Sequence, residues 1–191
     1  RIPARDTELR VVHTPGHTTG HLCVVAPHLQ LVFTGDHVLP VTRPGFGLGA
    51  TDVNPLGSYL NSLRKLEAYG AFVVHPGHEY AFRGLTERCE DLRRHHLARA
   101  AEIAAIVAAD PTAPVWEVAS HVSWTAGWAN LDGNNLRLAL MQTAAHLARQ
   151  LREGEEPPEG GSSGQTGRRQ TERTGPLHPG DWMPRDWMGK A

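Results

Sequence analysis

Imidazole and carboxylate side chains that could bind a metal ion recur at three points of the chain, each beside a glycine. The segments are TPGHTTGH at residues 14–21, FTGDH at residues 33–37 and HPGHEY at residues 75–80. Neutral imidazole and carboxylate are ligands that suit zinc, iron and manganese. Glycine beside a ligand lets the backbone turn sharply and approach a metal ion closely. Together the three segments predict a metal site.

The elements that must position these residues are short strands that end at glycine or proline. Residues 9–12, 30–33 and 72–74 read as strands, and each leads into one of the three segments, while residues 21–25 read as a further strand. Loops at the edge of a rigid sheet are the usual place for functional sites. A single His in a turn is more often solvated, and a single Gly-Asp is more often a turn or a cap. The combination and order of the segments favour the metal interpretation.

Helical periodicity follows and accompanies these strands. Residues 58–69 carry leucines spaced for one helix face, which predicts a helix between the second and third segments. From residue 85 an apolar stripe at about 3.6 residues per turn predicts a long helix, with Leu97 off the stripe. Shorter and longer helices are expected over 115–122 and from about 136 to 151. Adjacent His95 and His96 would point about 100° apart, which predicts a solvated face.

The chain therefore divides into three parts. Residues 1–84 predict an α/β layered domain, residues 85–153 a helical extension, and residues 154–191 a disordered tail with a repeated Asp-Trp-Met. Tryptophans 116, 124 and 128 are expected to fill the core between helices. Two cysteines cannot form a disulfide framework.

Charge and hydropathy exclude some classes of partner. The net charge of −1 argues against binding nucleic acid through a basic field. No apolar run approaches the roughly 18 residues of a membrane span, and no signal segment is visible. We expect a cytoplasmic protein; the oligomeric state stays open.

The three segments in this order resemble the second half of the metallo-β-lactamase superfamily of metal-dependent hydrolases. The resemblance covers residues 9–84, and residues 85–153 resemble, more loosely, the helical, partly winged-helix-like extension of some members. It implies an α/β fold that forms the C-terminal half of an αββα sandwich.

The resemblance also implies a site with two divalent metal ions, zinc first, with iron or manganese as alternatives. His17 would bind the first metal, His78 the second, and Asp36 would bridge both. A hydroxide held between the metals would attack a carbonyl or phosphoryl centre. Asp36 and His37 are the expected catalytic residues, and His37 and Tyr80 the expected substrate contacts. Structural hydrogen-bonding roles are expected for His13, His21 and His75.

One departure from the family bears on activity. The His-x-His-x-Asp-His motif, which precedes these segments in the family, does not occur in this chain. Each metal would keep one histidine and the shared aspartate, whereas catalytic zinc usually has three protein ligands. We therefore expect a fragment of a longer hydrolase, with weak or no metal binding and little activity alone.

Three functional hypotheses remain at this stage. The first is a metal-dependent hydrolase with a small-molecule substrate, which would be an ester, thioester or lactone. The second is a non-catalytic interaction module that keeps a remnant of the fold and binds a partner through its helices and Trp-Met tail. The third is a nucleic-acid-processing member, which the balanced charges of residues 85–109 disfavour.

Overall fold

The sheet has five strands in the order β1-β2-β3-β4-β5. A computed structural model of the chain describes residues 2–4, 7–47 and 53–155. The strands are β1 (Ile2–Ala4), β2 (Thr7–His13), β3 (Leu22–Ala26), β4 (Leu31–Gly35) and β5 (Val73–Pro76). The first four pair antiparallel, and β5 pairs parallel to β4. Because parallel neighbours need a crossover, the chain leaves the sheet after β4 and returns through a helix.

That crossover helix is α1 (Pro55–Leu66), followed by a 3-10 turn, Glu67–Tyr69. The Oδ1 atom of Asn54 accepts a hydrogen bond of 2.9 Å from the Gly57 N–H, and Pro55 occupies the first helical turn. An asparagine cap and an early proline both favour helix initiation. The predicted helix over 58–69 is confirmed, although the cap starts it three residues earlier.

One face of the sheet packs against α1 and the next helix, α2 (Leu85–Ala109). Alternate strand residues supply this face, as the two-residue period of a strand requires. The buried core contains Cys23, Val25, Val32 and Val74 from the sheet with Leu56, Leu60, Leu63, Leu66, Leu85, Cys89 and Leu92 from the helices. Both cysteines are free and buried.

The opposite face of the sheet is apolar yet exposed. Val11, Val24, Phe33 and His75 lie side by side across four strands, in register. Val11 and Phe33 are 40% and 42% exposed, and the ring of Phe33 lies 5.3 Å from that of His75. A sheet face that meets solvent usually carries polar residues. An apolar row of this kind is typical of a surface that another layer covers.

The helical part has a core of its own. It consists of α2, α3 (Val115–His121), a 3-10 turn (Trp128–Asn130) and α4 (Gly133–Glu155). Ile103, Ala113, Val115, Val118, Ala119, Val122, Leu136, Leu140 and Leu147 form this second cluster. Trp116, Trp124 and Trp128 pack against it, which confirms the expectation for the three tryptophans.

Four rings form what we call the buried ring cluster: Phe46, Tyr59, His96 and His146, contributed by a loop, α1, α2 and α4. Ring centroids lie 5.0 Å apart for Phe46 and His96, 5.4 Å for Tyr59 and His96, and 6.0 Å for the two histidines. The prediction of a solvated face for His96 is wrong, because α2 packs against both α1 and α4 and buries that side. His95 is half-buried. Leu97, expected off the apolar stripe, is 45% exposed.

The mixed α/β class is confirmed, and the winged-helix character of the extension stays a prediction. Strand β1 was not predicted; it has only three residues and no alternating pattern. Helix α4 reaches Glu155, so it includes the first residues of the predicted tail; residues 156–191 lie outside the described part. In the described part of the chain, no helix is long and apolar enough to span a membrane.

Candidate metal centre

The three predicted ligands lie in turns at the same edge of the sheet. His17 lies between β2 and β3, Asp36 directly follows β4, and His78 lies two residues after β5. The Nε2 atom of His78 is 3.3 Å from Oδ2 of Asp36, and Nε2 of His17 is 4.0 Å from the same oxygen. Two imidazoles therefore face one carboxylate oxygen from different strands.

The tautomer of His17 follows from its second contact. Its Nδ1 lies 2.7 Å from the carbonyl oxygen of Gly45. A carbonyl oxygen can only accept, so Nδ1 must carry the proton and donate it. In the neutral ring the lone pair is then on Nε2, the atom that faces Asp36. Metal-binding histidines commonly fix their tautomer in this way, through the ring nitrogen that does not bind the metal.

Two glycines allow the close approach of these turns. A Cβ at Gly77 would collide with Oδ1 of Asp36, so only glycine lets the turn after β5 reach the carboxylate. Gly77 also donates from its N–H to the Gly35 carbonyl at 2.8 Å, which joins the turns of β4 and β5. Gly16 has φ of +136° and lies against the backbone of Tyr59 in α1. A side chain there would be strained and would clash.

The neighbouring histidines have other contacts. Nδ1 of His21 lies 2.8 Å from Oγ1 of Thr14, which agrees with the expected structural role. Burial, and then the charge of His17, lower the pKa of His21, against the opposing effect of Asp36. Nε2 of His13 donates to the Thr19 carbonyl at 2.9 Å. One ring nitrogen of His13 and one of His21 therefore have a partner within the protein.

His37 and Tyr80, the remaining predicted site residues, lie in contrasting surroundings. His37 is fully buried, and burial, followed by the charges of His21 and His17, lowers its pKa to about 3. Its ring lies 4.6 Å from that of Tyr59, and neither ring nitrogen has a hydrogen-bond partner among the described residues. Tyr80 is 60% exposed beside the site. Their catalytic and substrate-binding roles stay predictions.

Two further residues contact the loop between Asp36 and Gly45, and the sequence analysis missed both. Glu79 accepts hydrogen bonds from the backbone N–H groups of that loop, and Arg88 donates to its carbonyls. A side-chain hydrogen bond from Thr42 is the largest cause that lowers the pKa of Glu79. Glu79 directly follows His78, a position that could have drawn attention; no local pattern indicates Arg88.

The donor set fits a divalent transition metal in chemistry and falls short in number. One imidazole with an oriented lone pair, a second imidazole and a shared carboxylate are ligands of the right kind. In the described part of the chain, however, no three His, Cys, Asp or Glu side chains are grouped closely enough to hold a metal ion. These residues therefore provide part of a ligand set.

A mostly antiparallel sheet with a helical layer on one face places the molecule among the layered α/β proteins, with His and Asp in turns at one edge of the sheet. The family model described as the metallo-beta-lactamase superfamily matches residues 2–78. Among solved structures, a metallo-beta-lactamase family protein from Thermus thermophilus has 31% identity and a TM-score of 0.66. A beta-lactamase domain protein from Burkholderia ambifaria has 27% identity and a TM-score of 0.68. The chain is therefore similar to the metallo-beta-lactamase superfamily over residues 2–78, and its fold is similar to that of these two solved structures.

Among curated proteins, two thioesterases are similar to this chain in sequence. An atrochrysone carboxyl ACP thioesterase from Aspergillus fumigatus is 35% identical over 82 residues, which cover 43% of this chain and 24% of that protein. The relative AgnL7 from Paecilomyces divaricatus, with the same description, is 43% identical over 70 residues, or 37% of this chain and 20% of the relative.

The chain matches only part of each of these proteins. The two solved structures are matched over 80% and 81% of this chain but over only 47% and 45% of their own lengths. The aligned region therefore corresponds to just under half of each solved relative and about a quarter of the Aspergillus thioesterase.

Proposed function

We infer that this chain provides one half of the metal site of a metal-dependent hydrolase that cleaves thioesters. The observation that carries the proposal is the convergence of His17 and His78 on one oxygen of Asp36, from three separate turns. A carboxylate oxygen shared by two imidazoles is suited to lie between two metal ions. In the proposed complete protein, an upstream segment with the His-x-His-x-Asp-His motif supplies the other ligands.

The exposed sheet face supports the proposal that an upstream segment completes the protein. Val11, Leu22 and Phe33 are between 40% and 52% exposed on a face that carries mostly apolar side chains beside His75. Burial of apolar area contributes about 25 cal/mol per Å², so a second sheet that packed on this row would be stabilised by it. The proposed upstream half therefore covers this face and brings its ligands to the same edge.

The residues of this chain have distinct tasks in that site. Asp36 holds its carboxylate between the two imidazoles, and Gly77 leaves room for it. His17 presents the Nε2 lone pair because Gly45 accepts its Nδ1 proton. When bound, the metals activate water and polarise the acyl carbonyl. Tyr80, exposed at the edge, is available to contact the acyl chain.

We propose the thioester class from the names of the relatives and not from a substrate pocket in the structure. Atrochrysone carboxyl ACP thioesterases are similar to this chain in sequence. A thioester on an acyl carrier links a small acyl group to a thiol, so the acyl group is the small-molecule part of the substrate. Hydrolysis of esters and hydrolysis of lactones are the two alternative activities that the experiment compares with thioester hydrolysis.

The experiment uses the chain joined to an upstream segment that carries the missing motif. Metal-stripped protein is reloaded with zinc, iron or manganese, and metal content is measured together with thiol release from an acyl thioester. The same acyl group as an oxygen ester and as a lactone provides the comparison. We expect about two metals per chain and preferential thioester cleavage, both lost in Asp36→Asn.

Arg93→Gln is the matched control, since the ion pair of Arg93 is with Glu67, at 3.5 Å, and not with any of the three ligands. It should leave metal content and rate unchanged. A loaded protein with two metals and no thioester cleavage would contradict the substrate class. A protein that takes up none of the three metals would contradict the metal site itself.

A further inference from the structure

We propose that Glu79 and Arg88 are positioning residues that hold His17 in the tautomer and orientation needed to bind a metal. They act through the loop of residues 38–45, which we call the clamped loop. This inference rests on the proposed metal site. Arg88 contacts the backbone of this loop, and Glu79 contacts its backbone and the side chain of Thr42.

Arg88 fixes one side of the clamped loop from helix α2. Its Nε donates to the Leu39 carbonyl at 2.8 Å, and its Nη2 donates to the carbonyls of Val41 and Thr42 at 3.0 and 2.8 Å. Its Nη1 donates to Asp91 at 2.6 Å, which orients the guanidinium. The planar fork of arginine can make several such bonds at once, whereas the single ammonium of lysine cannot reproduce them.

Glu79 fixes the same stretch through its N–H groups. Its two carboxylate oxygens accept the N–H groups of Val41 at 2.9 Å and Thr42 at 3.1 Å. Charge-assisted bonds of this kind are stronger than neutral ones. Glu79 also has φ of +70°, a conformation that non-glycine residues rarely adopt. Such strain persists where surrounding contacts over-determine it, and it is concentrated at functional sites.

The far end of the clamped loop contacts His17. The Gly45 carbonyl accepts the Nδ1 proton of His17 at 2.7 Å, and the Gly47 N–H donates to the Gly16 carbonyl at 2.8 Å. These two bonds hold His17 and the residue before it. The loop begins beside Asp36, and Glu79 is bonded to His78 in the chain. The clamped loop therefore links the turns of all three ligands.

The first test reads the His17 tautomer in the chain itself, with no metal present. Nitrogen-15 NMR of labelled imidazoles distinguishes Nδ1–H from Nε2–H, and His17→Gln assigns the signal. We expect a single Nδ1–H form in the unmodified chain. Glu79→Ala and Arg88→Gln should give a mixture of tautomers, Glu79→Gln a smaller change, and Arg93→Gln none. Because Glu79 is exposed, Glu79→Ala is expected to keep the fold.

The second test measures zinc affinity of the chain joined to the upstream motif, by competition with a coloured chelator. Loss of an outer-shell partner typically lowers metal affinity about 10- to 100-fold, and we expect that loss for Glu79→Ala and Arg88→Gln. If the unmodified protein binds zinc and the variants bind equally tightly, the positioning role is wrong. If His17 keeps one tautomer in both variants, it is also wrong. If the unmodified protein binds none of zinc, iron and manganese, the proposed function fails instead.

Discussion

Two groups of histidines in this molecule have opposite surroundings, one in the strand-end turns and one in the buried ring cluster. In the strand-end turns, His17 has a protein partner for one ring nitrogen and directs the other at a carboxylate, and His78 is 70% exposed beside it. In the buried ring cluster, His96 and His146 are 1% and 0% exposed. None of their ring nitrogens has a hydrogen-bond partner among the described residues.

The same side chain therefore lies beside a carboxylate in one region and is packed in the interior in the other. Burial is the first cause that lowers the pKa of His96 to about 2 and of His146 to about 3. Neutral rings can pack edge-to-face against Phe46 and Tyr59 as aromatic groups do. An imidazole is a ligand where its lone pair is oriented and reachable, and neither condition follows from the residue type.

The largest effect expected is a loss of stability in the buried ring cluster. Phe46→Ala removes a ring that is 1% exposed, which should lower the free energy of unfolding by about 3–5 kcal/mol. Phe33→Ala on the exposed sheet face is the matched control, and it should cost well under half as much in this chain. Urea unfolding of both variants measures the difference. Equal losses would mean that the ring cluster is not the packed part of the molecule.

A smaller loss is expected where the two regions meet. Gly16→Ala places a side chain at φ of +136° against the Tyr59 backbone nitrogen, 2.6 Å away. Strain of this kind costs on the order of 1–3 kcal/mol, and it would displace the turn that carries His17. Gly20→Ala, where a Cβ would meet nothing within 4 Å, is the control. Thermal unfolding that is unchanged in Gly16→Ala would contradict this packing.

The pH dependence of stability sharpens the comparison further. His96 and His146 are neutral in the folded chain but gain protons when it unfolds below pH 6.5, so stability should fall as pH drops from 6.5 towards 3. The nearby charges of His95, Arg43, Arg99 and Arg149 all oppose protonation.

His146→Leu removes one of these proton-binding groups. The free energy of unfolding of this variant should fall less steeply as the pH drops below 6.5. Its slope should be smaller than that of the unmodified chain by about 1.4 kcal/mol per pH unit, because one fewer proton is taken up on unfolding. His28→Leu at an exposed position provides the reference slope. Urea unfolding at pH 7, 6 and 5 measures both. A slope in His146→Leu as steep as in the unmodified chain would show that His146 is protonated in the folded state.

Local pattern predicted most of the fold because strands and helices have their own periods. The strand, crossover helix and long-helix assignments follow from spacing within each segment, and the structure confirms them within a few residues. The three-residue β1 carries too little pattern to be recognised. Register across the exposed face, from Val11 to His75, depends on pairing between strands that are distant in sequence.

The residues of the candidate site also differ in whether local sequence predicts them. His17, Asp36 and His78 could be predicted because each lies in a short glycine-containing segment at a strand end. Arg88 could not, since its contacts with Leu39, Val41 and Thr42 span 46 to 49 residues. Burial of His96 was missed for a related reason: helix α2 meets two other helices, which the stripe on α2 alone does not reveal.

The central claim is that His17, Asp36 and His78, rather than the buried histidines, bind the metal. The most direct measurement is nitrogen-15 NMR of labelled imidazoles, during titration with zinc, in the chain joined to the upstream motif. We predict selective shifts of the His17 and His78 signals, no shift of those of His96 and His146, and loss of the response in Asp36→Asn. Shifts that persist unchanged in Asp36→Asn, or that spare His17 and His78, would contradict it.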